Sequence, residues 1–376
     1  MSSNTGSIKS HSTVAQARLT TISSHISTNK PAKVVVCRDL GPDVMPILTE
    51  RKDLEVVLWP EDRACERPWL LENIKGATGV LVMVTDVVDE ELLEVAGPNL
   101  CVVSTMSVGY DHVDLNQISK RGLRLGYTPE VLTDAVADIS IMLALMAGRN
   151  VNETMAIARE GRWPQFTWSP FALCGPQFST TPQSPKRTIG FFGFGRISQA
   201  TLTRAIAFGV TDCIYYANPA SAPKPERDEA ILKEHRPKLK SLRPVDLVTL
   251  ARESDVLIIL APGGEATKHV INEDFLKKMK KHAVLVNTAR GTLVDSDALA
   301  KALREEWIWG AGLDVVEGEP NLQKDHPLLK EPRCNVLPHI ASATLETRLG
   351  MATLAANNLV GGILGEEMPA ELDAKQ

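Results

Sequence analysis

Arg290, Glu319 and His339 supply a fixed cation, a carboxylate and a titratable base. They lie in three fragments far apart in the chain, Asn287-Thr288-Ala289-Arg290-Gly291, Glu319-Pro320 and Pro338-His339, each at or just after a run that reads as a β-strand. A guanidinium can bind the carboxylate of a 2-oxo acid and polarise its carbonyl, and an imidazole can exchange a proton with the resulting hydroxyl while another group moves the hydride. The expected hydride carrier is a nicotinamide dinucleotide, because residues Thr188 to Ser198 run strand, glycine turn, helix start.

In that turn Gly193 permits the tight bend and Gly195 lets the backbone approach a pyrophosphate, whose charge is favoured at the helix N-terminus opened by Arg196 and Ile197. Arg196 could add a charge-assisted bond to the phosphates. Ser198 stands where the fingerprint has its third glycine, a packing position where a small side chain is expected to fit with slightly looser packing. About 20 residues further on, an NAD-selective site would carry Asp or Glu for the ribose hydroxyl, but here the chain reads Tyr216-Ala217-Asn218-Pro219. With no carboxylate to repel a 2′-phosphate, and Asn218, Ser221 and Lys224 available as donors, NADP(H) is the expected cofactor and NAD(H) the alternative.

Each site residue also has a plainer reading: Arg290 as a surface ion-pair partner, His339 as a satisfied core histidine flanked by Pro338 and Ile340. Position argues otherwise, since ligands of open α/β sheets bind at the carboxyl ends of strands, where Val284 to Asn287 delivers Arg290 with Gly291 leaving room beside it. To donate to an alkoxide His339 must be protonated, a form that a nearby carboxylate favours. Glu319 is the candidate, with Glu317 and Asp314 equally acceptable by residue type.

These fragments need parallel strands to carry them, and 376 residues at 44% apolar content suffice for two α/β domains. Strands are expected at Val34–Cys37, Gly79–Val84, Leu100–Thr105 and Leu123–Gly126, with helices at Asp89–Ala96 and Asp114–Arg121. A long apolar helix capped by Thr133 or Asp134 then runs toward Glu160. Residues 162–187, with Trp163, Trp168 and five prolines, read as an arm that packs on something. Six strands follow, at Thr188–Gly193, Asp212–Ala217, Asp255–Ala261, His282–Ala289, Gly310–Val316 and Cys334–Leu337, and a last helix spans Thr344 to Leu364. The expected division is 33–131 with 339–376 as a discontinuous substrate domain and 132–338 as the dinucleotide domain, with the active-site cleft between them. Residues 1–32, rich in Ser and Thr, read as a disordered polar tail or an organellar transit segment, and the C-terminal Asp373 to Gln376 is no peroxisomal address.

The net charge of -5, with Lys and Arg dispersed, gives no footprint for nucleic acid or a membrane surface. Six cysteines without a C-x-x-C pair read as reduced, mostly buried thiols, no metal-ligand cluster stands out, and no window approaches the ~18 apolar residues of a membrane span. An intracellular protein is expected, cytoplasmic or, if the N-terminus is a targeting segment, mitochondrial.

The segments Ser107-Val108-Gly109-Tyr110-Asp111-His112, the glycine turn and Leu337-Pro338-His339-Ile340-Ala341-Ser342 resemble the D-isomer-specific 2-hydroxyacid dehydrogenase family, a match running from about residue 33 onward. Within it, Gly126 to Asp134 and Leu354 to Leu359 resemble the glyoxylate/hydroxypyruvate reductases. The resemblance implies two Rossmann-like parallel-sheet domains and an NAD(P)H-dependent reduction of a small 2-oxo acid to a D-2-hydroxy acid. Arg290 would bind the substrate, His339 would be the general acid and Glu319 its partner. Val108 and Gly109 would offer backbone to the substrate carboxylate, with Ser342 beside the site, Asp314 facing the nicotinamide amide and Thr133 along the cofactor cleft. Trp168 matches a tryptophan that reaches the neighbouring subunit's active site, which implies a homodimer. Two departures stand out: a longer, proline-rich stretch between Cys174 and Thr188, and Asn218 where the NADP-preferring reductases tend to have arginine. The same fold also serves phosphoglycerate dehydrogenases and nicotinamide-sensing corepressors, which are the alternative readings.

Overall fold

The computed structural model describes residues 30–218 and 222–373. The expectations for the first 29 residues of the tail, for Ser221 and for the last three residues lie outside the described residues. In chain order the elements are β1 (Ala32–Val36), α1 (Pro46–Thr49), β2 (Leu54–Leu58), α2 (Arg67–Asn73), β3 (Gly79–Val82), α3 (Glu90–Ala96), β4 (Val102–Thr105), α4 (Leu115–Arg121) and β5 (Arg124–Gly126). Next come α5 (Thr133–Gly148), α6 (Val151–Arg159), β6 (Thr188–Phe192), α7 (Arg196–Ala207), β7 (Asp212–Tyr216), α8 (Pro225–His235), β8 (Ser241–Pro244), α9 (Leu247–Glu253) and β9 (Val256–Ile259). The chain closes with α10 (Glu273–Leu276), β10 (Val284–Asn287), α11 (Ser296–Arg304), β11 (Gly310–Leu313), α12 (Pro327–Lys330), β12 (Cys334–Val336), α13 (Leu345–Leu364) and β13 (Glu371–Leu372).

Among the described residues two compact units result, one formed by residues 30–131 together with 344–373, the other by Leu132–Ala343. The first is a six-stranded sheet in the order β13-β5-β4-β3-β1-β2, parallel except where β13 runs antiparallel to β5. Helix α13 lies close on this sheet because both surfaces are cut back to small residues. A Cβ on Gly79 would stand 2.8 Å from Leu359 Cδ1 and one on Gly362 would stand 2.4 Å from Val102 Cγ2. The buried Ser104 hydroxyl donates to the Ala355 carbonyl at 2.8 Å, fixing the register of helix on strand.

The second unit is a wholly parallel seven-stranded sheet, β12-β11-β10-β9-β6-β7-β8. Strands β6, β9, β10 and β11 are buried at every position, as continuous apolar runs covered on both faces must be. From β6 the connection runs outward through β7 on one side and through β9 on the other, so the crevice where a parallel sheet takes its ligand opens beside β6. Helix α5 crosses closely over β11, with a Cβ on Gly312 placed 2.8 Å from Leu143 Cβ.

The first sheet gains β2 and β13 over the four strands expected, and three features of the second unit also depart from the sequence reading. The sheet has seven strands rather than six, because β8, a half-exposed edge strand ending in Pro244, carries no apolar run. The long helix is two: Asn150 adopts a left-handed conformation at φ 53° and breaks it, and α5 begins at Thr133 behind Leu132 with no side-chain cap. The break turns α6 onto β12, where Asn152 donates its amide to Asn335 Oδ1 at 3.1 Å and its Nδ2 to the Cys334 carbonyl at 3.2 Å. The arm divides into an outer part with Trp163, Trp168 and Phe171 exposed and an inner part in which Phe178 joins the core of α5, β6 and β7. Of the six cysteines, none in a disulfide, only Cys37, Cys213 and Cys334 are buried. No helix among the described residues is long and apolar enough to cross a membrane.

Candidate active site

Strand β6 ends in the glycine turn. Gly193 has φ 90°, and a Cβ there would lie 2.9 Å from the Ala261 backbone, so only glycine allows this turn to pass the end of β9. Gly195, exposed at the N-cap of α7, has nothing within 4 Å of its Cβ position, which leaves the helix N-terminus open to an anion. The residues fit a dinucleotide pyrophosphate. Arg196 is exposed and Ile197 partly exposed in the first turn of α7. Ser198 does not loosen the packing as expected: it is fully buried and its hydroxyl donates to the Gly193 carbonyl at 2.8 Å, tying the helix to the turn that a glycine would only touch.

Arg290, Glu319 and His339 follow β10, β11 and β12, three neighbours in the sheet, at their carboxyl ends. Asn287, fully buried, accepts from the Ala289 amide at 3.1 Å and donates to the Arg290 carbonyl at 2.8 Å, shaping the bend that presents the arginine. The Arg290 guanidinium donates to the Ala289 carbonyl at 2.7 Å. The room beside Gly291 is taken by main chain, since a Cβ there would stand 2.2 Å from the Val316 carbonyl carbon and 2.3 Å from the Glu317 nitrogen.

That contact places the turn bearing Glu319. The Val316 amide donates to Glu319 Oε2 at 3.1 Å, and Oε1 stands 2.8 Å from His339 Nδ1, with both side chains partly exposed. His339 has a left-handed backbone, φ 53°, unusual outside glycine and tolerated where the surroundings over-determine it. Asp314 supplies the determination: its carbonyl accepts from the His339 amide at 2.9 Å and its carboxylate from the amides of Ile340 at 2.8 Å and Ala341 at 2.9 Å. Burial pushes the Asp314 carboxyl up against the pull of those two amides. A carboxylate on Nδ1 leaves Nε2 as the atom that can give or take a proton, and a guanidinium two strands away can hold an anion beside it.

The three acids that residue type left equivalent are thus separated by geometry. Glu317 is engaged by a different histidine, His269, whose Nε2 lies 2.6 Å from its Oε2, a pairing the sequence reading did not foresee. Arg227, in the first turn of α8, was also missed. It lies over the rings of Phe194 and Tyr215, donates to the Phe194 carbonyl at 3.1 Å and pairs with Asp228, putting a cation against the glycine turn. Asn218 is exposed just past β7.

Ser342 is buried just past His339, and Thr133 opens α5. Trp168 is 80% exposed, edge-on to Phe166. In the other unit, Val108 and Gly109 occupy the loop after β4, which Ser107 fixes by donating to the Gly109 carbonyl at 2.6 Å and accepting the Thr128 amide on its own carbonyl at 2.8 Å.

A glycine turn at the first strand of a parallel sheet, with its helix N-terminus open, defines a dinucleotide-binding fold. The profile of the D-isomer specific 2-hydroxyacid dehydrogenase family, NAD binding domain, matches residues 141–341, and the chain belongs to that family of NAD(P)-dependent enzymes. It is 40% identical over 340 residues to the human glyoxylate reductase/hydroxypyruvate reductase, covering 90% of this chain and 97% of that one. Among solved structures, a Thermus thermophilus protein superposes with a TM-score of 0.78 at 37% identity, covering 90% of this chain and 99% of its own. An NADPH-dependent glyoxylate/hydroxypyruvate reductase from Sinorhizobium meliloti, in complex with NADP and malonate, gives a TM-score of 0.71 at 32% identity over 92% of this chain and 98% of its own.

Proposed function

We propose that this enzyme reduces small 2-oxo acids, glyoxylate and hydroxypyruvate, with NADPH in preference to NADH, giving the D-2-hydroxy acid where a stereocentre forms. The observation that carries the reading is the Glu319–His339 hydrogen bond at 2.8 Å, at the carboxyl end of the same sheet that presents Arg290 and the glycine turn. The relatives named glyoxylate/hydroxypyruvate reductase support the substrate class. The absence of a carboxylate at Tyr216-Ala217-Asn218 supports NADPH.

Gly193, Gly195, Arg196 and Ile197 would hold the cofactor's pyrophosphate and Asn218 its adenosine end, with Asp314 facing its nicotinamide amide and Thr133 along the cofactor cleft. Each Asp314 oxygen still has a lone pair beyond its bond to Ile340 or Ala341. When bound, the nicotinamide supplies the hydride. Arg290 binds the substrate carboxylate and polarises the carbonyl, with backbone of Val108 and Gly109 as further donors to the carboxylate and Ser342 beside it. His339 delivers its Nε2 proton to the carbonyl oxygen as negative charge develops there, and Glu319 on Nδ1 fixes the ring and stabilises the imidazolium. In the reverse direction the neutral Nε2 takes the proton back. Trp168, exposed on the arm with Phe171, is assigned to reach the neighbouring subunit's active site in a homodimer.

The test is loss of nicotinamide absorbance with purified protein, offering NADPH or NADH against glyoxylate, hydroxypyruvate, pyruvate and phosphohydroxypyruvate. Fast NADPH oxidation with the first two is expected, whereas tight cofactor binding without turnover on any of the four would overturn the reading.

A further inference from the structure

We infer that His269 and Glu317 form a second histidine–carboxylate pair that holds the Val316–Glu319 turn in place, making His269 a positioning residue for the reaction proposed above. The inference rests on that reading of Glu319 and His339.

His269 stands in the connection between β9 and β10, in a left-handed conformation at φ 50°. Its amide donates to the Thr292 carbonyl at 2.9 Å, and two residues on the Ile271 amide donates to the Leu293 carbonyl at 3.1 Å. Residues 269–271 are thereby fastened to the segment that follows Gly291. From this anchored backbone the His269 ring reaches Glu317, Nε2 to Oε2 at 2.6 Å, with side chains 37% and 32% exposed.

Glu317 is therefore held twice, by its main chain against Gly291 and by its carboxylate on His269. Between it and Glu319 lies Gly318, at φ 89° with nothing within 4 Å of its Cβ position. A glycine in open space is a joint that packing does not restrain, so hydrogen bonds hold the turn there. The Glu319 amide donates to the Val316 carbonyl at 3.2 Å and the Asn321 amide to the Gly318 carbonyl at 3.0 Å, while the Glu319 carboxylate is bonded to the Val316 amide and to His339. Anchoring Glu317 upstream of the joint fixes the base from which Glu319 reaches the imidazole. Loss of that anchor changes the orientation of His339 without touching Arg290 or the glycine turn, so the proton-transfer step should suffer while binding is spared.

The experiment is a double-mutant cycle on the full chain, with NADPH and glyoxylate: His269→Ala, Glu317→Ala and both, beside His269→Gln, which can still donate one N–H to Glu317, and His339→Ala as reference. Each single change is expected to lower kcat by about tenfold, with KM for glyoxylate and NADPH affinity held within about twofold. The double variant should lose no more than either single one, and His269→Gln should recover most of the rate. Wild-type kcat in both single variants, losses that multiply in the double, or a loss confined to KM would overturn the inference. If the alanine variants do not fold, His269→Phe, Glu317→Met and their combination, which keep side-chain volume and remove the hydrogen bond, give the same cycle, with independent losses as the overturning result. His339→Ala keeps the two readings apart: an active His339→Ala removes the proton-donor assignment, whereas an inactive one beside an unaffected His269→Ala removes this inference alone.

Discussion

Asp314 holds His339 by its main chain rather than by its ring, its carbonyl accepting the histidine amide at 2.9 Å. With its carboxylate on the next two amides, one buried residue fixes the left-handed turn that aims the imidazole. Asp314→Asn keeps the shape but points an NH2 group at one of those amides. It should cost about 1–3 kcal/mol of stability and lower kcat more than it raises KM. Urea denaturation beside steady-state kinetics checks this, and an unchanged midpoint would show that the staple carries no stability.

Replacing His339 by alanine should leave NADPH binding intact, read by fluorescence titration, while turnover falls by about 10²–10⁴-fold, the range for loss of a general acid. Glu319→Gln can still accept from Nδ1 but no longer stabilises the imidazolium, so its loss should be smaller. A near-native rate in His339→Ala would remove it as the proton donor.

For Arg290 the expected signature differs. Arg290→Ala should raise KM for the oxo acid and lower kcat together, because the guanidinium is assigned to both ground-state binding and carbonyl polarisation. Arg290→Lys keeps charge without the planar fork and should fall between. An unchanged KM in the alanine variant would argue against substrate binding by Arg290.

Ser198→Gly restores the glycine fingerprint and yet should destabilise the protein. The change leaves the Gly193 carbonyl without its 2.8 Å partner and puts glycine in a helical turn, together about 1–2 kcal/mol. A thermal melt decides the point; a higher melting temperature would mean that the serine is a poor substitute rather than a tie.

Asp255 should dominate one part of the acid response. Burial opposes its ionisation, but hydrogen bonds from His282, Lys280 and the Thr188 amide outweigh that and bring its carboxyl down to about 2. A folded-state value below the unfolded one means stability that is complete above the ordinary carboxylate range and lost as pH falls through about 2. Asp255→Asn should flatten the stability profile between about pH 4 and pH 2. An equally steep acid limb in the variant would assign the loss to other carboxylates.

What the sequence made legible follows from burial. Strands β6, β9, β10 and β11 are covered on both faces and read as unbroken apolar runs, so the glycine turn and Arg290, which follow such runs, could be placed on them directly. Strand β8 was invisible because only its first two residues are even half buried, and β2 because Glu55 is exposed within it. The helix break at Asn150 was hidden in a sequence with adequate helix propensity on both sides; Gly148 was the one local hint. Glu317 and Glu319 differ in nothing that residue type records, and only the contact of Gly291 with the Val316–Glu317 backbone decides which histidine each meets. Arg227 escaped notice because it sits in a charged helical segment that reads as solvent-facing, nine residues beyond the point where cofactor specificity was sought.

The interrupted helix has a consequence for how this protein behaves at high concentration. A parallel sheet ends in two strands whose outer hydrogen-bonding groups can template a strand from another molecule. At β12 Asn152 occupies the outward carbonyl of Cys334 and caps the Asn335 side chain, a position it reaches only because the chain turns at Asn150. At β8 the last strand residue is Pro244, which has no amide to offer. Both borders of the seven-stranded sheet are blunted against strand addition, one by a side chain and one by an imino acid, so aggregation by edge pairing of the native unit is disfavoured.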